Sequence, residues 1–426
     1  MTVNQESIDA WSRRLDAASD RIARDFPGER PERQPVHTVY GGAHLFSADT
    51  APKLGELARR ALEEHAPDPR TLADAVGMVP VDLAERVYAR VVEKLEREPV
   101  EDYRLDFEDG YGNRPDDEED GHAASAAREV ARGLAEGTLP PFIGIRVKPF
   151  TGELGRRSIR TLDIFLTTLA DEADRLPDEF CVTLPKIQDT EQVLVLDEVL
   201  SELESKLGLS RIPIELMLET PQMVVDRDGL SGPRRYVRAA QDRVRGVHFG
   251  TYDYTASLSI TAAHQSMTHP ACDFARSMMQ VNLVGTGVWL SDGATNVMPV
   301  GDTTTVHAAW RLHYSHVRHS LMHALYQGWD LHPAQLPSRY AAVYSFFLEG
   351  LDRAGERLAN FVEQAAKATL VGEVFDDAAT GQGLLNYFLR AINCGAIGEN
   401  EAVERTGLTL EELETRSFVR IMEGRR

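Results

Sequence analysis

The chain has 426 residues, 42% hydrophobic and 27% charged, which is the composition of a folded globular protein and argues against disorder over most of its length. Its formal charge of −21 argues against a general nucleic-acid or anionic-membrane partner, since both need a basic footprint, but leaves room for a local basic pocket that takes a small anion. Cys181, Cys272 and Cys394 lie far apart and none sits in a CxxC, so no disulfide framework or zinc–cysteine site is expected. A reducing cytoplasm fits this cysteine usage. The first twenty residues lack the apolar core of a signal peptide, and no apolar run approaches the length of a membrane span.

Residues 1–34 read as a helix followed by the polar connector FPGERPERQP. A rhythm of short apolar, β-branched runs then begins: VHTVY (36–40), YRLDF (103–107), FIGIRV (142–147), FCVTLPKI (180–187), IPIELMLE (212–219), VRGVHFG (244–250), GTGVWLS (285–291) and, more weakly, WDLHP (329–333). Stretches with helical apolar spacing separate them, among them ASAAREVARGLAE and EQVLVLDEVLSELESKLG. Strands alternating with helices call for a parallel sheet, and eight units over residues 35–345 suit a closed (β/α)8 TIM barrel. An open doubly wound sheet is the alternative, but no GxGxxG or GxxxxGK[ST] follows any strand. The acidic run RPDDEEDGH (114–122) reads as a solvated loop. Residues 346–426 read as a C-terminal helical extension, with a capped start at TLEELE.

A barrel gathers the C-terminal ends of its strands at one mouth, where its chemistry sits. The polar residues expected there are Asp106, Glu108, Asp109, Arg146, Lys148, Lys186, Glu219, Asp253, Asp292 and, in the eighth unit, His332. Several carboxylates beside two or three cations suit a divalent metal with an anionic oxygen ligand; Mg2+ typically takes one or two protein carboxylates and fills its octahedron with water and substrate oxygens. Glu219 and Asp253 are the candidate ligands, and Arg146, with its fixed fork of donors, the candidate charge stabiliser. Each acid alone also reads as a helix cap or loop residue, and Asp292-Gly293 as a simple turn. In IELMLETPQM, strand alternation turns Glu215, Met217 and Glu219 to one face, yet only Glu219 reaches the mouth. Glu215 needs a buried partner that the sequence does not name.

These pieces carry a resemblance. LDFEDGYG, IGIRVKP, TLPKI, LMLETPQM, VHFGTYDYTASL, the segment ending in WLSDG, and GWDLHPAQLP occur in the order of the HpcH/HpaI aldolase and citrate lyase beta-subunit family, over about residues 35–345. The resemblance implies a Mg2+-dependent (or Mn2+-dependent) carbon–carbon lyase or aldolase acting on a 3-hydroxy acid or hydroxyacyl thioester through a metal-stabilised enolate. It implies Glu219 and Asp253 as metal ligands and Arg146, Gly250 and Thr251 as substrate-binding residues. Glu108, Asp109, Lys186 and Asp292 are then the other catalytic candidates. It implies a small oxo or hydroxy acid as partner, either free or as a coenzyme A thioester, and a homotrimer or homohexamer in which the C-terminal region can serve as a lid. Asp109 stands where the aldolase branch looks to have a histidine, which favours the citrate lyase and malyl-CoA lyase side. Glu219 and Asp253 are 34 positions apart, more than the family's usual spacing, with RDGLSGPRRY as the expected insertion. GRRSIR (155–160) could meet phosphates or simply start a helix. The alternative function is a non-catalytic binder or sensor that keeps the same barrel and metal.

Overall fold

The structure, a computed structural model, describes residues 2–79, 81–371 and 378–425. The eight short runs form eight strands: β1 (His37–Gly42), β2 (Asp102–Asp106), β3 (Phe142–Arg146), β4 (Glu179–Leu184), β5 (Ile214–Leu218), β6 (Val244–Phe249), β7 (Trp289–Ala294) and β8 (Gln327–Asp330). Each pairs in parallel with the next, and β1 pairs with β8, so the sheet closes into a barrel. The helices between them bury one stripe against it, as with Val193, Leu196, Leu200 and Leu203 of the helix Thr190–Leu207. That helix starts at an Asp189–Gln192 capping box and stops at Gly208, whose φ of 68° is left-handed.

Two expectations shift. β7 begins at Trp289, later than GTGVWLS suggests, because Gly285 and Gly287 both take φ of 78° and cannot lie in a strand. The acidic run 114–122 is no free loop, since the helix Asp116–Glu136 begins within it. Acidic side chains in a first turn complement the helix dipole, and Glu119 and Asp120 of that run bind Arg157 and Arg160. Those arginines of GRRSIR are therefore already paired with acids.

The barrel interior is ionic as well as apolar. Arg104 of β2 is fully buried and bonds Asp102 at 2.5 Å and Glu215 at 2.5 Å. Glu215 also meets Arg245 at 3.2 Å and His248 at 3.0 Å. Burial pushes the Glu215 carboxyl up, but Arg104, His248 and Arg245 outweigh it and hold it well below the usual carboxylate range. Above this layer, Tyr40, Met217, Ala294 and Trp329 form a separate apolar cluster.

The C-terminal helices pack at the opposite end from the mouth. Asn393 and Arg390, in or ending the helix Ala378–Asn393, hydrogen-bond Gln34 just before β1, and Arg416 donates to the carbonyls of Arg30 and Pro31. Within one chain, then, these described parts of the extension stand away from the mouth and do not cover it; residues 372–377 of the expected extension lie outside the described residues. The helix Gln5–Asp25 buries none of its residues. Among the described residues, no helix is long and apolar enough to cross a membrane.

Candidate active site

The mouth is built around an arginine clamped by strand register. Asp106 and Arg146 end β2 and β3 opposite one another. Arg146 donates Nε to Asp106 Oδ1 at 2.7 Å and Nη2 to Oδ2 at 2.5 Å, the bidentate pairing that fixes a guanidinium in its plane. The backbone N–H groups of Glu108 and Gly110 bond the same carboxylate at 2.9 and 2.7 Å. The remaining edge of Arg146 meets Glu108 Oε2 at 3.1 Å, and its carbon lies 4.8 Å from the centre of the Tyr40 ring.

On the facing side, Lys186 follows Pro185 with φ of 49°, a left-handed backbone unusual for a lysine. This turn aims its N–H at Glu219 Oε1, 2.5 Å away. Its ammonium reaches Glu108, Asp109 Oδ1 at 3.1 Å and Asp253 Oδ2 at 3.4 Å. Gly250 lets β6 approach Glu219, since a Cβ there would fall 2.6 Å from Glu219 Oε2. Thr251 is buried, with its hydroxyl directed to the sulfur of Met267 at 3.0 Å. A cavity of about 380 Å3 lies between these groups, with Arg146, Glu219, Thr251 and Asp253 on its polar side and Tyr40 and Trp329 on its apolar side.

Five carboxylates (Asp106, Glu108, Asp109, Glu219 and Asp253) crowd two cations, Arg146 and Lys186. Burial, then the charges of Asp253 and Glu108, push Glu219 up to about 8, and Lys186 and Arg146 do not offset them. Burial also pushes Glu108 up to about 7 against the pull of Arg146 and Lys186. Asp109 feels burial too, but Arg146, its hydrogen bond with Glu108 and Lys186 bring it below the usual value. Two hard oxygen donors on one cavity, Glu219 and Asp253, fit a Mg2+ or Mn2+ ion that brings water and substrate oxygens of its own.

A family profile described as a domain of unknown function, DUF6986, matches residues 15–421. The chain belongs to this family. A search of curated proteins gives no match. Among solved structures, a citrate lyase from Burkholderia xenovorans LB400 shares 17% identity with this DUF6986 member, covering 89% of this chain and 100% of that one with a TM-score of 0.57. A Haloferax volcanii malate synthase in a magnesium/glyoxylate complex shares 13%, covering 93% and 98% with a TM-score of 0.49. An HpcH/HpaI aldolase/citrate lyase family protein from Burkholderia cenocepacia J2315 shares 13%, covering 80% and 98% with a TM-score of 0.38. At 17% identity the likeness to the first of these is one of fold.

Of the expected site residues, the structure brings Glu108, Asp109, Arg146, Lys186, Glu219, Gly250, Thr251 and Asp253 of this DUF6986 chain to one mouth. Asp292 is a correction. Because β7 runs on to Ala294, Asp292 falls inside the strand and not at its end. Its side chain faces the helices, where Arg276 at 2.8 Å, Ser320 at 2.5 Å and the Gly293 N–H at 2.8 Å engage it with no exposure to solvent. His332 accepts the Ala334 N–H at 3.1 Å and caps a short turn. Glu215 finds its partners in Arg104, Arg245 and His248. Asp106 is expected at the mouth but not as the clamp of Arg146, and Tyr40 and Trp329 are not expected there at all. The alternation Asp102, Arg104, Asp106 along DYRLD was a visible signal of an ionic inner face, whereas nothing in the sequence marked the two aromatic rings. The insertion RDGLSGPRRY runs from a loop closed by a Val225–Ser231 bridge into the start of the helix Pro233–Ala239, which accounts for the long interval between Glu219 and Asp253.

Proposed function

We propose that this chain is a metal-dependent carbon–carbon lyase or aldolase acting on a small 3-hydroxy or oxo acid. The observation that carries the reading is Glu219. It is a buried carboxyl that lines a cavity together with Asp253 and the clamped Arg146. Glu219 and Asp253 would hold Mg2+ or Mn2+, and the bound ion would supply Lewis-acid polarisation of a substrate oxygen. The chain's own residues do the rest. Arg146, fixed by Asp106, presents donors to the substrate carboxylate or to the oxygen that becomes negative as the carbon–carbon bond breaks. Glu108, which burial raises to about 7 against the pull of Arg146 and Lys186, sits beside this cavity near working pH and suits proton transfer. Tyr40 and Trp329 close the apolar side and limit water. The cavity suits a small acid, and the acidic rim with Arg157 and Arg160 already paired favours a free acid over a coenzyme A thioester. The motif order shared with the citrate lyase beta-subunit family and the barrel shared with the Burkholderia xenovorans citrate lyase support the same reading.

The test is deuterium exchange at C3 of pyruvate with Mg2+, together with cleavage of free hydroxy-oxo acids and of malyl or citramalyl thioesters. Exchange should require Mg2+ and be lost in Glu219→Gln and Asp253→Asn. Full, EDTA-insensitive exchange in these variants would remove the metal assignment. No turnover of any substrate with Mg2+ bound would favour a sensor.

A further inference from the structure

Outside the cavity lining, the helix Pro270–Leu283 carries Asp273 in its first turn, and the helix Thr303–Met322 brings His319 beside it, with His323 as its C-terminal cap. Among the described residues, only these three bring one metal-donor atom each within 4.8 Å of the others. We propose that Asp273, His319 and His323 form a second metal site that takes Zn2+, with its remaining position left to water. Two imidazoles and one carboxylate are a borderline donor set that suits Zn2+, whereas Mg2+ prefers oxygen ligands alone.

The surroundings are already arranged for an ion. His323 Nδ1 lies 2.9 Å from the His319 carbonyl, which can only accept, so Nδ1 carries the hydrogen and Nε2 keeps its lone pair. A backbone carbonyl that fixes the tautomer of an imidazole is the usual outer support of a metal-binding histidine. His319 Nε2 lies 2.8 Å from Asp273 Oδ1, so a hydrogen occupies the line between them that the cation would replace. Arg276 holds Asp273 Oδ1 at 2.9 Å, and its charge is offset by buried Asp292 at 2.8 Å, so the pocket is not net positive before an ion arrives. The C-terminal end of a 20-residue helix adds negative potential. Asp273 and His319 side chains keep 33% and 19% of their exposure, enough for an ion to enter. An ion there would tie together the two helices that flank β7.

This proposal is independent of the mouth, and its test keeps the two sites apart. Calorimetry on the tag-free full chain carrying Glu219→Gln and Asp253→Asn should still show one tight Zn2+ per chain that Mg2+ does not displace. His319→Ala, His323→Ala or Asp273→Asn should each weaken it at least tenfold, while His264→Ala, an exposed histidine elsewhere, should not. At a hundredfold excess over its Kd, Zn2+ should raise Tm by about 3 °C, a gain absent from the histidine variants. Circular dichroism controls for folding. Should the histidine variants fail to fold, Co2+ added to the unsubstituted chain should give a visible nitrogen–oxygen spectrum that Zn2+ abolishes. Zinc affinity unchanged in His319→Ala and His323→Ala, or no such spectrum, would overturn the site.

Discussion

Replacing Glu219 by Gln isolates the charge problem at the mouth. In the folded chain its pKa is about 8, against 4.5 when unfolded, so between those values the native state binds more protons. Stability must therefore fall as pH rises across that window, and the loss is complete above pH 8. The penalty is about 2 kcal/mol at pH 6 and about 5 kcal/mol at pH 9, because each pH step of one across the window costs roughly 1.4 kcal/mol. Gln keeps the shape and can still accept the Lys186 N–H, but never ionises. With an unfolding entropy of about 2 cal/mol/K per residue, a 426-residue chain changes Tm by about 1 °C per kcal/mol. In EDTA, the Tm of the Gln variant minus that of the unsubstituted chain should thus grow by about 3 °C between pH 6 and pH 9. Saturating Mg2+ should close the gap at high pH by stabilising only the unsubstituted chain. Differential scanning fluorimetry across that pH series measures both. Parallel pH curves for the two proteins in EDTA would refute the electrostatic account of the mouth.

Gly250→Ala should drive a methyl group against the Glu219 carboxylate; we expect Mg2+ affinity, read by calorimetry, to fall at least tenfold with circular dichroism unchanged. Arg146→Lys should lower kcat/KM by about a hundredfold or more while the chain stays folded, because an ammonium cannot reproduce the two-pronged hold on Asp106. Glu215→Ala leaves Arg104 and Arg245 without their shared acid and should cost roughly 3–5 kcal/mol in urea unfolding; a loss under about 1 kcal/mol would contradict the network. Asp292→Asn should lower stability through Arg276 yet leave pyruvate exchange by the folded protein within a few-fold, whereas a catalytic Asp292 would give the opposite pattern.

The eight-strand barrel and the mouth residues from Glu108 to Asp253 were legible because alternation and strand ends are local properties. Runs of five or six apolar residues separated by 3.6-periodic helices permit few other architectures, and in a barrel the last polar residue of each strand faces the mouth. Glu219 and Glu215 were separable on that basis alone, being four residues apart on one face. Asp292 was misplaced because the left-handed glycines 285 and 287 delay β7 by several residues, and a strand's start decides which residues reach its end. The partners of Glu215 come from β2 and β6, and the carboxylate that fixes Arg146 comes from β2, so they depend on register across the closed sheet. The same holds for Tyr40 and Trp329, and for Asp273 with His319, where two helices must meet. The sequence by itself determined the periodicities, and with them the fold and the list of chemical groups. Tertiary structure alone decided which charges neutralise one another, because electrostatic pairing and burial depend on distances between segments that are remote along the chain.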